Sequence, residues 1–219
     1  MNTYQKTVAI LGNGAVGVSV AKGFSEIGYR VIFGTRDAMG AKTREALAAI
    51  PGASAATYSE AAKAADLAFV ALPFGGVQEA LKLAGAPNLE GKVVIDATNP
   101  VDFSSGSPKL ATSQADSAGE LVQRLLPGAR VVKAFNIISA GSMVHPKFAD
   151  GTPDMIIAGN DAAAKEEVAA LLGKFGWRKA VDLGDISASH LLEALALTWI
   201  TYAFKNKHFT HGFSLLGQA

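Results

Sequence analysis

The chain has 219 residues, 20 Lys and Arg against 19 Asp and Glu, a net charge of +1 and no cysteine. The length suits one sizeable core or a main domain with a small appendage. Balanced charge removes the electrostatic case for nucleic acid, and the lack of cysteine excludes disulfides and thiolate metal sites and fits a reducing compartment.

The opening MNTYQKTVAILG runs straight into a strand, without the apolar stretch and cleavage site of a signal peptide. Next to TVAIL (7–11) stands the helical AVGVSVAKGFSEIG, and RVIFG (30–34) leads into AKTREALAAI. LAFVAL (67–72) precedes GGVQEALKLAG, and KVVIDA (92–97) precedes the surface loop VDFSSGSPKLATS (101–113). The next helix opens at Ser117, with Glu120 three residues on as a capping box, and RVVKAF (130–135) is the strand after it. Continuous apolar runs, rather than strict alternation, indicate strands covered on both faces. Strands alternating with helices then predict a Rossmann-type, doubly wound parallel α/β sheet.

After about residue 140 the rhythm changes character. DMIIAG (154–159) and RKAVDLG (178–184) read as strands around the helical DAAAKEEVAALLGKFG. SASHLLEALALTWITYAFKNK closes the chain as a helix that is apolar nearly all round. The expectation is a dinucleotide-binding domain over 1–140, a small C-terminal α/β domain over 141–219, and a homodimer in which a partner subunit covers the closing helix. The longest uncharged apolar run, ALALTWITYAF (194–204), is too short to cross a bilayer, so no membrane association is expected and a cytoplasmic location is.

AILGNGAVG places Gly12, Gly14 and Gly17 in G-x-G-x-x-G spacing between a strand and a helix. Gly12 would allow the tight turn, Gly14 the close approach of a pyrophosphate, and Gly17 the packing of helix on strand, with the helix N-terminus facing the phosphates. Where a carboxylate often holds the ribose 2′-hydroxyl, this chain reads Gly34-Thr35-Arg36. A hydroxyl and a guanidinium bind a 2′-phosphate, which a carboxylate would repel. The expected ligand is therefore NADP(H) rather than NAD(H), with Lys42 and Arg44 as further sources of positive potential.

With GNGAVG, FGTRD, ALPFGGVQEAL, GKVVIDATNPV, VVKAFNIISA and LLEALALTWI in order, the chain resembles the coenzyme F420-dependent NADP oxidoreductases over nearly its whole length. It also resembles the NADPH-binding domain of the Steap metalloreductases, above all around KAFN. The resemblance implies a dinucleotide lying across the strand ends. Asn13, Gly14, Ala15 and Val16 would meet the pyrophosphate, Thr35 and Arg36 the 2′-phosphate, and Pro73 with Phe74 the adenosine side. Asn99, Pro100, Val101, Asn136 and Ala140 would lie near the nicotinamide. Gly40 stands where family members often carry a lysine, and Lys42 is the substitute at hand.

No catalytic acid or base stands out. The chain has no Tyr-x-x-x-Lys pair, and NIISAG lacks the first glycine of a nucleophile elbow, which leaves Ser139 as a hydrogen-bond partner. Hydride transfer between NADP(H) and F420 or a flavin (FMN or FAD) requires neither, because the cofactors carry the chemistry. Two other functions fit the same residues: a Steap-type flavin or ferric reductase, and a non-catalytic NADP(H)-binding regulator. Of the four histidines, His208 and His211 have helical spacing but no nearby carboxylate, so no metal site is expected; His190 reads as a cap and His145 has no assigned role. Trp177, Trp199 and Phe204 read as core aromatics.

Overall fold

The computed structural model describes residues 6–112 and 116–217. The outer ends of both expected domains and the last residue of the 101–113 loop lie outside those residues.

The alternation of apolar runs folds into β1 (Thr7–Leu11), α1 (Ala15–Glu26), β2 (Arg30–Thr35), α2 (Ala41–Ala49), β3 (Ser54–Thr57), α3 (Tyr58–Ala64), β4 (Leu67–Val70), α4 (Phe74–Ala84) and the short α5 (Ala86–Leu89). Then come β5 (Val93–Asp96), a hairpin of β6 (Val101–Asp102) and β7 (Lys109–Leu110), α6 (Ala118–Leu125) and β8 (Arg130–Lys133). The chain ends with β9 (Met155–Gly159), α7 (Ala162–Lys174), β10 (Ala180–Asp182) and α8 (Ser189–Asn206).

Eight strands form one sheet in the order β10-β9-β8-β5-β4-β1-β2-β3. From β3 to β8 all neighbours are parallel, and each strand of this run is followed by a helix before the next strand of the run. Successive residues of β1 explain the unbroken apolar runs. Val8 and Ile10 enter a core shared with α1, α2 and α7, whereas Ala9 and Leu11 enter one shared with α3, α4 and α6. A period of two with both faces buried leaves no polar alternation to read.

β9 runs antiparallel to β8, pairing Val132 with Gly159 and Lys133 with Ala158. The residues between them carry only a single helical turn, Ala140–Ser142, and no crossover helix to return the chain to the other end of the sheet. The C-terminal strands therefore extend the same sheet, and Leu171, Leu172, Phe175 and Trp177 share a core with β1 and α1.

Local caps hold the helices in place. Ser117 Oγ accepts the Glu120 N–H at 3.1 Å, as the sequence predicts, but the Ser117 N–H goes to Asp116 Oδ1. The fully reciprocal capping box forms instead at Thr57 and Glu60, at the start of α3. Among the described residues no helix is long and apolar enough to cross a membrane.

Candidate functional site

The strand order turns back between β1 and β4: the chain winds outward to β2 and β3 on one side and to β4, β5 and β8 on the other. Open α/β sheets bind ligands at this reversal, outside the carboxyl ends of the strands. Here the two strand ends are joined by Ala71 N–H donating to Leu11 O at 2.9 Å.

The glycines divide the work at this point. Gly12 has φ of 116°, and a side chain there would overlap the Ala71 carbonyl oxygen. A Cβ at Gly17 would overlap the Gly12 carbonyl oxygen. Both are needed for backbone to pass backbone. Gly14 is different: the nearest atom to its Cβ position is the mobile tip of Lys42, at 3.9 Å. The space in front of Gly14 is open, at the N-cap of α1, whose first turn carries no acidic residue and no side-chain cap. Unpaired N–H groups and the positive end of the helix dipole face that space, the arrangement that binds phosphate.

A cleft of about 410 Å³ continues from it, lined by Gly12, Asn13, Gly14, Thr35, Arg36 and Pro73 among the expected residues. The structure adds Asp37, Gly40, Lys42, Thr43, Tyr58 and Leu72 to its wall. Thr35 is buried and its Oγ1 accepts the Asp37 N–H at 2.9 Å, fixing the turn after β2. Asn13 Nδ2 donates to Thr43 Oγ1 at 2.8 Å, and Thr43 Oγ1 in turn donates to Asp37 O at 2.7 Å, so the glycine turn and the Arg36 loop are held together. The Asp37 carboxylate accepts the Met39 N–H at 3.1 Å and so closes its own loop. Arg36 is exposed and takes part in no ion pair among the described residues. Arg44 is engaged elsewhere, donating to Met39 O at 2.6 Å. Lys42, not Arg44, is the second cation of the cleft. A side chain at Gly40 would meet the Asp37 carboxylate. Burial pushes the Tyr58 hydroxyl up, against the pull of the nearby Arg36. Phe74 begins α4 half-buried and does not line this cleft; Ala15 and Val16 form the first turn of α1.

The other expected residues gather at the ends of β5 and β8. Asn99 Nδ2 donates to Asn136 O at 2.7 Å, and Asn136 Nδ2 donates to Asn99 Oδ1 at 3.1 Å and to Leu192 O at 3.0 Å. Pro100 is buried and Val101 half-buried at the base of the β6–β7 hairpin. Ser19 Oγ donates to Ala140 O at 2.5 Å, tying the turn after β8 to α1. Asn136 Oδ1 and Thr98 Oγ1 are buried with no hydrogen-bond partner among the described residues. Such orphaned acceptors are costly in a folded protein and suit a site completed by a ligand. Open backbone at one end, free cations beside it and unpartnered polar atoms at the other end fit an extended, phosphorylated dinucleotide.

Reading the sequence alone misses a buried ion cluster beneath these asparagines. Lys133 Nζ, fully buried, donates to Asp96 Oδ2 at 2.9 Å and to Thr98 O at 2.6 Å, and pairs with Glu193 Oε1 at 2.8 Å. Burial pushes the Glu193 carboxyl up, opposed by Lys133 and by the Ala118 N–H. The available cue is one charge in each of three apolar runs, VVID, VVK and LLEALAL. His211 stacks on Trp199 with ring centres 4.4 Å apart, His190 Nδ1 lies 2.6 Å from Ser187 O, and the exposed His145 Nε2 lies 2.9 Å from Glu26 Oε2. Trp177 and Trp199 are buried as expected, but Phe204 is exposed and packs on Phe103 and Phe209, because its position on α8 faces away from the sheet.

Residues 7–100 match the model of a family described as NADP oxidoreductase, coenzyme F420-dependent. The F420-dependent NADP reductase of Methanothermobacter marburgensis is 30% identical over 222 residues, 91% of this chain and 93% of its own. The chain belongs to this family. Its enzyme class is that of the NADP-dependent oxidoreductases. A crystal structure of a candidate F420-dependent NADP reductase from Arthrobacter sp. FB24 superposes with a TM-score of 0.91 at 36% identity, covering 97% of this chain and 100% of that one. The metalloreductase STEAP3 of Rattus norvegicus is 28% identical over 87% of this chain, which spans only 36% of that protein's length.

Proposed function

We propose that this reductase binds NADPH across the strand ends and transfers hydride between it and coenzyme F420. The observation that carries the reading is the pairing of an open, acid-free helix start at Gly14 with the unpaired guanidinium of Arg36 in one cleft. Bound NADPH supplies the hydride, and the deazaflavin of F420 is the substrate that takes it. The chain's own task is to bind and orient. The first-turn amides of α1 hold the pyrophosphate, with Asn13, Ala15 and Val16 around it, and Thr35 and Arg36 hold the 2′-phosphate. Pro73, with Phe74 behind it, bounds the adenosine side, and Asn99, Pro100, Val101, Asn136 and Ala140 frame the nicotinamide. The absence of a proton donor among these side chains agrees with a reaction between two rings that carry their own chemistry. The same reading includes a homodimer through α8 and a cytoplasmic location.

The test is a turnover panel: NADPH with F420, FMN, FAD or a ferric chelate, followed by loss of NADPH absorbance. Oxidation with F420 well above the other acceptors is the expected result. NADPH binding without turnover on F420 would overturn the choice of acceptor. Turnover on flavin or ferric chelate alone would move the assignment toward metalloreductase chemistry, and none at all toward a regulator.

A further inference from the structure

We propose that Lys133 is a positioning residue that, through Asp96 and Glu193, sets the geometry of the nicotinamide half of the site independently of the phosphate half. The inference rests on the NADPH reading above and concerns residues that touch none of the expected contacts directly.

All three donors of the Lys133 ammonium are committed: to Asp96 Oδ2, Thr98 O and Glu193 Oε1. Asp96 Oδ1 accepts the Thr98 N–H at 3.0 Å, so Thr98 is held at both its amide and its carbonyl, immediately before Asn99. Glu193 extends the hold. It accepts the Ala118 and Gly119 N–H groups at the start of α6, at 3.1 and 3.2 Å, and it follows Leu192, whose carbonyl fixes Asn136. One ammonium thus joins the end of β5, the end of β8, α6 and α8 around the Asn99–Asn136 pair.

A fold staple alone is a poor account of this cluster. Apolar residues of similar volume often stabilise a core as well as a buried ion cluster or better, because three charges must be desolvated. The cluster sits only where the sheet meets the two asparagines. A second costly feature lies between Lys133 and Asn136. Phe135 has φ of 64°, a left-handed conformation that bulky side chains rarely adopt, and its N–H finds only the weakly accepting sulfur of Met155, at 3.2 Å. Its ring is locked among Phe69, Phe175 and Trp177 at centre distances of 5.4, 6.0 and 6.4 Å. Strain of this kind persists where the surroundings over-determine the backbone, and such places cluster at functional sites. Here it turns the chain after β8 so that Asn136 meets Asn99 and Leu192.

The experiment compares two ligands on wild type, Lys133→Met and Glu193→Gln. 2′,5′-ADP carries the 2′-phosphate and adenosine but no nicotinamide, whereas NADPH carries both halves. Calorimetry on wild type should show NADPH binding more tightly than 2′,5′-ADP. In both variants 2′,5′-ADP affinity should stay within about twofold, while the extra affinity of NADPH falls by roughly tenfold. Hydride transfer should slow by roughly 10- to 100-fold with a smaller change in the acceptor KM, the signature of a misplaced reactant. Parallel weakening of both ligands, or no change in either, would overturn the proposal. So would a wild type with no preference for NADPH over 2′,5′-ADP. If Lys133→Met does not fold, the near-isosteric Glu193→Gln decides. A wild type that binds neither ligand would instead overturn the NADPH reading itself.

Discussion

The Lys42 ammonium overhangs the glycine turn, 3.9 Å from where a Gly14 side chain would begin, while Arg36 stands free on the other wall of the same cleft. Under the proposed NADPH reading the two cations serve different phosphates. Arg36→Ala removes a charge-assisted contact to the 2′-phosphate worth about 1.5–3 kcal/mol, so NADPH affinity should fall roughly 10- to 150-fold and NADH affinity hardly at all. Lys42 is exposed, and in the same reading it is a screened point charge near the pyrophosphate, which both cofactors carry. Lys42→Ala should weaken both by about fivefold, an effect fading with salt. The ratio of the two dissociation constants in each variant is the measurement. A Lys42→Ala protein that loses affinity for NADPH only would place this lysine on the 2′-phosphate instead.

The three glycines of the turn should respond to substitution in opposite ways. Gly12→Ala and Gly17→Ala each drive a methyl into a carbonyl oxygen and should cost about 1–3 kcal/mol or more in urea unfolding. Gly14→Val meets no backbone, so the fold should survive with an intact circular dichroism spectrum. Its side chain would fill the space that the pyrophosphate needs, and nicotinamide fluorescence should report no binding. Normal NADPH affinity in Gly14→Val would refute the placement of the phosphates.

Acid should loosen the C-terminal tail. Asp154 is buried and accepts from Arg178 at 2.8 and 2.6 Å and from the Leu215 N–H at 2.8 Å. Burial alone would push its carboxyl up, but these donors together outweigh that and hold it below the ordinary value. The ionised form is thus favoured in the fold. The stability it contributes is present above the unfolded pKa near 4 and is lost as pH falls through the lower folded value. Asp154→Asn should cost about 1–3 kcal/mol at pH 7 and clearly less near pH 3. Trp199, covered by the tail residue His211, offers a fluorescence reporter of release. An equal cost at both pH values would show that the charge is not what holds the tail.

Legibility in the sequence followed the range of the interactions. β1, β2, β4, β5 and β8 could be read because both faces of each are buried, so apolar residues run unbroken. β3 and α3 could not: SAAT is made of small residues at the sheet edge, paired only with β2. The strands after residue 140 were legible as strands, but pairing direction depends on a missing crossover helix, which propensity does not encode. In the site, the glycines and Arg36 announce themselves because they act within one turn of chain. Tyr58 enters the cleft from a helix that the sequence pattern does not reveal. The Asp96–Lys133–Glu193 cluster joins residues far apart in sequence, and each looks alone like a stray charge in an apolar run.

The closing helix carries the last prediction, and the structure moves its most informative residue. The apolar circumference of α8 suggests Trp199 as the dimer handle, yet Trp199 is only 8% exposed. Its Nε1 donates to His211 O at 2.9 Å and its ring lies under His211, so Trp199→Glu would break the subunit's own packing. Along another face of α8 stand Leu191, Leu195, Thr198 and Tyr202, spaced by three or four residues; Leu191 is 52% exposed and Thr198 is exposed, whereas Leu195 is half-buried and Tyr202, 48% exposed, meets His211 edge-on with ring centres 4.7 Å apart. Residues at that spacing share one helix face, and an apolar stripe of this kind is suited to its symmetric copy. Wild type should therefore scatter light as a dimer at micromolar concentration. Thr198→Glu would place a charge within the stripe without touching the His211 packing and should yield monomer, with 2′,5′-ADP affinity unchanged because the stripe lies apart from the Gly14 cleft. A monomeric wild type would remove the dimer, and a dimeric Thr198→Glu protein would move the interface off this stripe.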